Sequence, residues 1–279
     1  MLNILVQTIK CLIEIVRYMP ELTEVKIMSD FINRNSENKT YSKLYHVEKG
    51  NNPIDSKLIE NFNVSANSFG KELQLRVHHD LTDLNFSVFM GMSGNWKFLP
   101  TKDWNDTKFV RMRLDTTDGY SLLLHGGYMG PKYKLGGFTG VDRGPDPTKE
   151  FDKFKSNVIK NLSNKAFDRP ICEALLDQKY FNGIGNYLRS TILYYADIDP
   201  FEKASVSIKN NPKILDLCRD IPMKSYELNG GQLKDWKNPF DNDSKEFEEW
   251  VFYQKGKSVR DKTGRTFWYN DKWESKCPY

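Results

Sequence analysis

Apolar and polar residues alternate along three stretches in the first half of the chain. Leu73, Leu75 and Val77 alternate with Glu72, Gln74 and Arg76; Leu84, Phe86 and Val88 with Asn85 and Ser87; Val110, Met112 and Leu114 with Arg111 and Arg113. A period of two turns one set of side chains to a core and the other to water, so each stretch predicts a strand. Turn-forming residues separate them, at Asn51 to Pro53, Ser93 to Asn95 and Thr116 to Gly119. Short strands punctuated in this way predict a β-sandwich.

Helical spacing flanks this region. Leu22, Val25, Met28 and Ile32 share a face, predicting a short buried helix from Glu21 to Ile32, and the polar run Asp30 to Thr40 reads as a loop. Lys132 to Lys149 is rich in Gly, Pro and Asp and holds no period, which predicts an interdomain linker. Beyond it Phe151, Phe154, Val158, Ile159 and Leu162 fall on one helical face. A second helix is expected to open at Pro170, and a third to turn Leu188, Ile192, Tyr195 and Ala196 inward. In the closing VRDKTGRTFWY, Asp261 to Gly264 reads as a turn between two short strands. The expected fold class is α+β in two domains: an N-terminal sandwich with a helix at its start over 20–135, a linker over 136–149, a mainly helical domain over 150–255 and a hairpin over 256–273. Residues 1–18, MLNILVQTIKCLIEIVRY, place Asn3, Gln7, Lys10, Glu14 and Arg17 on one stripe, and read as a helix or as an extension outside the mature protein.

Composition narrows the classes. With 279 residues, 39% hydrophobic and 28% charged, the chain is neither collagen-like, coiled-coil nor wholly disordered. A net charge of +4 from 41 basic and 37 acidic residues is too small to bind a polyanion globally, so any such affinity must come from local patches. Cys11, Cys172, Cys218 and Cys277 lack the spacing of a zinc knuckle, so structural zinc is not expected. Scattered cysteines point to a reducing intracellular compartment, nucleus or cytoplasm not being distinguished. No run of about 18 uncharged apolar residues exists, so no membrane span is expected.

The glycine turn NGIGNY, Asn182 to Tyr187, allows positive φ, close backbone approach and exposed amides at the start of the next helix. Alone it is an ordinary turn. The full run ALLDQKYFNGIGNYLRSTILYYADIDP resembles the helix-two-turn-helix segment of the formamidopyrimidine-DNA glycosylase and endonuclease VIII family, in which Asn186 would hold the DNA backbone. MPELTEV resembles the family's start, with Pro20, Glu21 and Glu24; SFGKELQL supplies its lysine, Lys71; GMSG (Gly91 to Gly94) supplies the loop methionine, Met92, that fills the space of an extruded base; and GPDP (Gly144 to Pro147) resembles its linker. SVRDKTGRTFWY is similar to the metal-free hairpin, the zincless finger, of the endonuclease VIII-like branch, with Arg265 as phosphate ligand. HGGYMG, His125 to Gly130, departs from the family pattern: Gly127 stands in place of an arginine and Met129 in place of a phenylalanine, leaving Tyr128 and Met129 as wedges. The departure implies weakened reading of the opposite base and tolerance of varied partners or of single strands.

The resemblance implies removal of oxidised bases followed by strand cleavage, with no cofactor or metal and with damaged DNA, double- or single-stranded, bound by a monomer. The chemistry needs an amine that attacks the anomeric carbon and becomes a Schiff base. A lysine amine, with a pKa of about 10.4, is mostly protonated at neutral pH, whereas an α-amino group at about 7.7 to 8.0 is far more often free. Pro20 would thus be the nucleophile, Glu21 a proton shuttle to the ring oxygen, and Lys71 and Arg265 phosphate ligands. Glu24 would either contact the lesion or complete the helix N-terminus.

Pro20 can act only if its nitrogen is free of Met19. Either Met19 is the true start, or residues 1–18 are removed, or the extension stays and leaves a catalytically silent protein that binds damaged DNA. A general nucleic-acid binder would leave Pro20, Glu21 and Lys71 without a role.

Overall fold

The computed structural model describes residues 20–47, 53–55, 61–80, 82–127, 130–138, 142–231 and 236–279. Residues 1–18, Tyr128 and Met129 lie outside the described residues. Helix α1 (Leu22–Ser36) opens the fold, followed by β1 (Tyr41–Val47), β2 (Pro53–Asp55), β3 (Asn63–Phe69), β4 (Glu72–His79), β5 (Thr82–Phe89), β6 (Asn95–Pro100), β7 (Val110–Thr116), β8 (Tyr120–His125) and β9 (Lys132–Leu135). They form a five-stranded sheet in the order β2-β1-β7-β8-β6 and a four-stranded sheet in the order β3-β4-β5-β9, antiparallel throughout. Leu73, Leu75 and Val77 of β4 and Met112 and Leu114 of β7 enter one core with Val25, Met28 and Ile32 of α1.

Three expectations change in this domain. The helix does not stop at Ile32, because the polar Asn33 pairs with the backbone of β3, donating to Ala66 O at 2.9 Å and accepting from Ala66 N at 2.7 Å. Lys132 to Leu135 is not linker but the edge strand β9, in register with β5 from Phe86↔Leu135 to Phe89↔Lys132. Its lysines are exposed and keep that edge soluble. The polar face of β4 is not wholly in water either: Glu72 is buried against Arg143 at 3.4 Å and bonded by Ser87, because residues after β9 fold back over the sheet.

The second half holds α2 (Phe151–Lys160), α3 (Ile171–Ala174), α4 (Asn186–Ala196), α5 (Ala204–Asn210), α6 (Ile214–Glu227) and α7 (Lys245–Trp250), then the hairpin of β10 (Lys257–Arg260) and β11 (Thr266–Tyr269). Phe154, Val158, Leu188 and Ile192 are buried as their spacing predicts, whereas Ile159 and Tyr195 face outward, 54% and 43% exposed. Pro170 does precede a helix, but one of only four residues, α3. The hairpin turn is closed by Gly264 N donating to Asp261 O at 2.9 Å. Residues cross between the halves: Leu22 of α1 packs in the helical core, and Trp236 packs in the sandwich core with Phe240 against it. Helix α1 is therefore a beam set into both, and its N-terminus lies on the seam.

Candidate active site

Three backbone segments meet at the start of α1. Leu22 N donates to Gly183 O at 3.1 Å. Gly183 has φ +92°, and a Cβ there would stand 2.6 Å from the Leu22 side chain and 3.0 Å from Gly70 Cα. Gly70 has φ +55°, and its N–H donates to Asp146 Oδ2 at 2.8 Å. Only glycine tolerates both this conformation and this crowding, so the Gly70 and Gly183 turns bring β4, the linker and the start of α4 onto Pro20 and Glu21.

Glu21 is buried with its carboxylate on the amides at the start of α4: Gly185 N at 2.7 Å, Tyr187 N at 2.9 Å and Leu188 N at 3.3 Å. Those are the unpaired N–H groups and the positive end of a helix dipole, a natural seat for an anion. Lys71 comes to the same place. A Cβ on Gly185 would lie 2.4 Å from Glu21 Oε1 and 2.5 Å from Lys71 Nζ, so carboxyl and amine flank one point that only a glycine leaves open. Burial pushes the Glu21 carboxyl up to about 7, against the pull of Lys71 and the amides. Burial likewise brings the Lys71 amine down to about 8 against the attraction of Glu21, with Arg265 and Arg143 adding repulsion. Both groups are held near neutrality, where a proton moves most readily.

Pro20, buried, precedes Glu21 directly. Glu24 fixes the peptide that follows it: its Oε2 accepts from Glu21 N at 2.8 Å, and its Oε1 from Tyr187 OH at 2.9 Å and Gly231 N at 3.1 Å. Tyr187 OH also meets Ser225 Oγ at 3.1 Å. These bonds brace the helix start, and burial raises the pKa of Glu24.

Arg265 sits exposed at the foot of β11, close enough for its charge to act on Lys71. Asn186 lies at the start of α4, against the hairpin. Its amide donates to Thr266 O at 2.8 Å and its Oδ1 accepts from Arg189 Nη2 at 2.7 Å, so the side chain ties α4 to the hairpin. Met92 stands apart from this cluster, on the turn between β5 and β6 that is closed by Gly94 N on Met90 O at 2.8 Å. That turn touches the segment after β8: a Cβ on Gly126 would lie 2.8 Å from Ser93 O and 3.1 Å from Gly94 Cα. Met92 and the segment bearing Tyr128 thus share one rim, with Tyr128 itself outside the described residues.

Sequence reasoning missed Arg143, Asn182, Arg189 and Asp261. Arg143 reaches Asn182 Oδ1 at 3.3 Å, and Asn182 Nδ2 donates to Gly144 O at 2.9 Å, fastening the linker to the glycine turn. The spacing Asn186, Arg189, one helical turn, is the one local signal that could have drawn attention to Arg189. Among the described residues no group of three or more His, Cys, Asp or Glu could hold a metal ion.

A two-sheet sandwich joined to a helical domain and a hairpin is a fold shared with solved formamidopyrimidine-DNA glycosylases. The MutM (Fpg) protein of Thermus thermophilus superposes with a TM-score of 0.74 over 93% of this chain and 100% of that one, at 19% identity. A complex of Lactococcus lactis Fpg with DNA containing N7-benzyl-Fapy-dG gives 0.72 over 90% of this chain and 97% of that one, at 18% identity. Endonuclease 8-like 1 of Mus musculus is 33% identical, over 90% of this chain and 72% of its own length, and that of Homo sapiens is 31% identical over the same shares. No family model matches the chain. On these similarities the chain belongs to the endonuclease VIII-like branch of the formamidopyrimidine-DNA glycosylase and endonuclease VIII family.

Proposed function

We propose that this chain is a bifunctional DNA glycosylase and abasic-site lyase of base excision repair, acting on oxidised bases, with oxidised pyrimidines and ring-opened purines as its substrates. The observation that carries the reading is the seam: the Glu21 carboxyl and Lys71 amine flank one point beside Gly185, next to Pro20. A free Pro20 amine attacks the anomeric carbon; the C–N bond to the base breaks, and the base departs with its electron pair and takes up a proton. Glu21, held protonated toward neutral pH by burial, gives its proton to the ring oxygen as the sugar opens to the iminium. Loss of a C2′ proton then expels the 3′ phosphate, and a second elimination expels the 5′ phosphate, leaving a gap bounded by phosphates. Lys71 and Arg265 hold phosphates around the extruded nucleotide, and Asn186, tied to the hairpin that carries Arg265, adds neutral hydrogen bonds to the DNA backbone. Met92 and Tyr128 fill the space the base vacates, and Glu24 holds Pro20 and Glu21 in place. The reaction runs on side chains and an amine and requires no cofactor.

We assign the sandwich to 20–135, the linker to 136–149, the helical domain to 150–255 and the zincless finger to 256–273. We propose that the protein acts as a monomer on damaged DNA, double- or single-stranded. The cysteines among the described residues are free, as a reducing intracellular compartment leaves them, and no helix among the described residues is long and apolar enough to cross a membrane.

The test is a duplex carrying one 5-hydroxyuracil or one 8-oxoguanine, incubated with protein beginning at Pro20 and resolved on a denaturing gel. Release of the pyrimidine in preference, with phosphate at both ends of the gap, supports the reading. Tight binding of the lesion duplex without base release overturns it.

A further inference from the structure

The rim that carries Met92 has a third member. In the five-stranded sheet, β8 lies between β6 and β7, and its last residue His125 pairs with both Asn95, the first of β6, and Val110, the first of β7. The segments just before β6 and β7 and just after β8 therefore emerge side by side. They are the Gly91 to Gly94 turn, the Thr107 to Phe109 turn and the segment from Gly126. Gly126 joins the last two directly, its N–H donating to Phe109 O at 3.3 Å, while a Cβ on it would crowd Ser93 and Gly94 of the first.

Phe109 is unusual on two independent counts. The residue is 62% exposed, where most large apolar residues of this domain are buried. Its backbone is left-handed, φ +58°, a conformation that costs a bulky residue energy and that asparagine or glycine would take with less strain. The register of β7 shifts between Val110 and Met112 immediately after it, so a bulge turns the chain at this point. The strain holds an aromatic ring out into solvent, where burial gains nothing, and strain of this kind collects at functional sites. Exposed Lys108 next in sequence and exposed Lys97 on β6 give the same rim positive charge. Across the rim, Gly127 presents no side chain.

We propose that Phe109 is a specificity-determining residue, whose ring stacks on the base left unpaired in the intact strand when the damaged nucleotide is extruded. The inference rests on the glycosylase reading and deepens it. An aromatic face accepts any of the four bases, since every base has a π-face. Such a contact reads the presence of an orphaned base without reading its identity. Gly127 across the rim has no side chain with which to touch that base, and the lysines beside Phe109 draw in the phosphates that flank it.

The experiment uses the full chain and a duplex with a tetrahydrofuran abasic analogue opposite 2-aminopurine, whose fluorescence falls when it is stacked. Wild type is expected to leave the 2-aminopurine more quenched than F109A does. Base stacking on an aromatic side chain has a strength that predicts F109A will bind this duplex about tenfold more weakly, with a smaller loss on single-stranded DNA carrying the same analogue. F109W is expected to restore both signals, which a structural role for the turn would not allow. Equal quenching and affinity for wild type and F109A overturn the inference, as does an equal loss on single and double strands. If wild type binds the abasic duplex no more tightly than undamaged duplex, the damaged-DNA reading falls, and the role of Phe109 with it.

Discussion

Arg189 Nη1 stands 2.5 Å from Asp261 Oδ2, and both side chains are wholly buried. The pair joins the helix that seats Glu21 to the turn that carries Arg265. Asp261 Oδ1 also accepts from Thr263 N at 2.9 Å and Arg265 N at 3.1 Å, and Arg189 Nη1 donates to Cys172 O at 2.9 Å. The hairpin turn is thus fixed by a guanidinium from below.

Removing one partner of such a pair leaves a buried charge unmatched. Asp261→Ala should destabilise the protein by about 3 to 5 kcal/mol, whereas the double change Arg189→Met with Asp261→Leu should cost less, having no unpaired charge. Urea unfolding followed by circular dichroism checks both. An Asp261→Ala protein as stable as the parent would show that the pair does not organise the hairpin.

Gly185 has a sharper consequence. Its missing Cβ is the space between the Glu21 carboxyl and the Lys71 amine, so Gly185→Ala must push them apart by an ångström or so. Misplacement on that scale costs on the order of a hundredfold in rate. Base release should fall by about that factor while far-ultraviolet circular dichroism stays that of the parent; activity within a factor of two of the parent would refute the placement.

Glu21 also predicts how stability responds to pH. Its carboxyl is raised from 4.5 to about 7 on folding, chiefly by burial. Between those values the folded state binds more protons than the unfolded one, so stability is fully present below about 4.5 and falls as pH rises through about 7. Glu21→Gln should remove that slope. Melting temperatures of both proteins from pH 4.5 to 7.5 give the comparison, and an unchanged slope in Glu21→Gln would place the titration elsewhere.

The sandwich was legible in the sequence because Leu73, Leu75 and Val77 repeat at the period of a strand, and the helices because Phe154 and Val158, or Leu188 and Ile192, repeat at the period of a helix. The nearness of Pro20, Glu21 and Lys71 was legible only through resemblance, for no local pattern links a helix start to a lysine 50 residues on. No local pattern links partners that tertiary packing brings together. Arg189 and Asp261 are 72 residues apart, and Arg143 reaches Glu72 of β4 from a segment beyond β9. Tyr195 shows the opposite failure: its spacing is right for the inner face, yet it lies outside, stacked on Trp250 with ring centroids 5.9 Å apart.

The account turns on the amine of Pro20, and borohydride trapping on an abasic-site duplex tests it most directly, comparing protein that begins at Pro20 with protein carrying residues 1–18. A covalent adduct with the shorter form alone is the predicted result. An adduct with both forms would move the nucleophile to a lysine, with Lys71 the first to replace, and no adduct with either would contradict the lyase assignment itself.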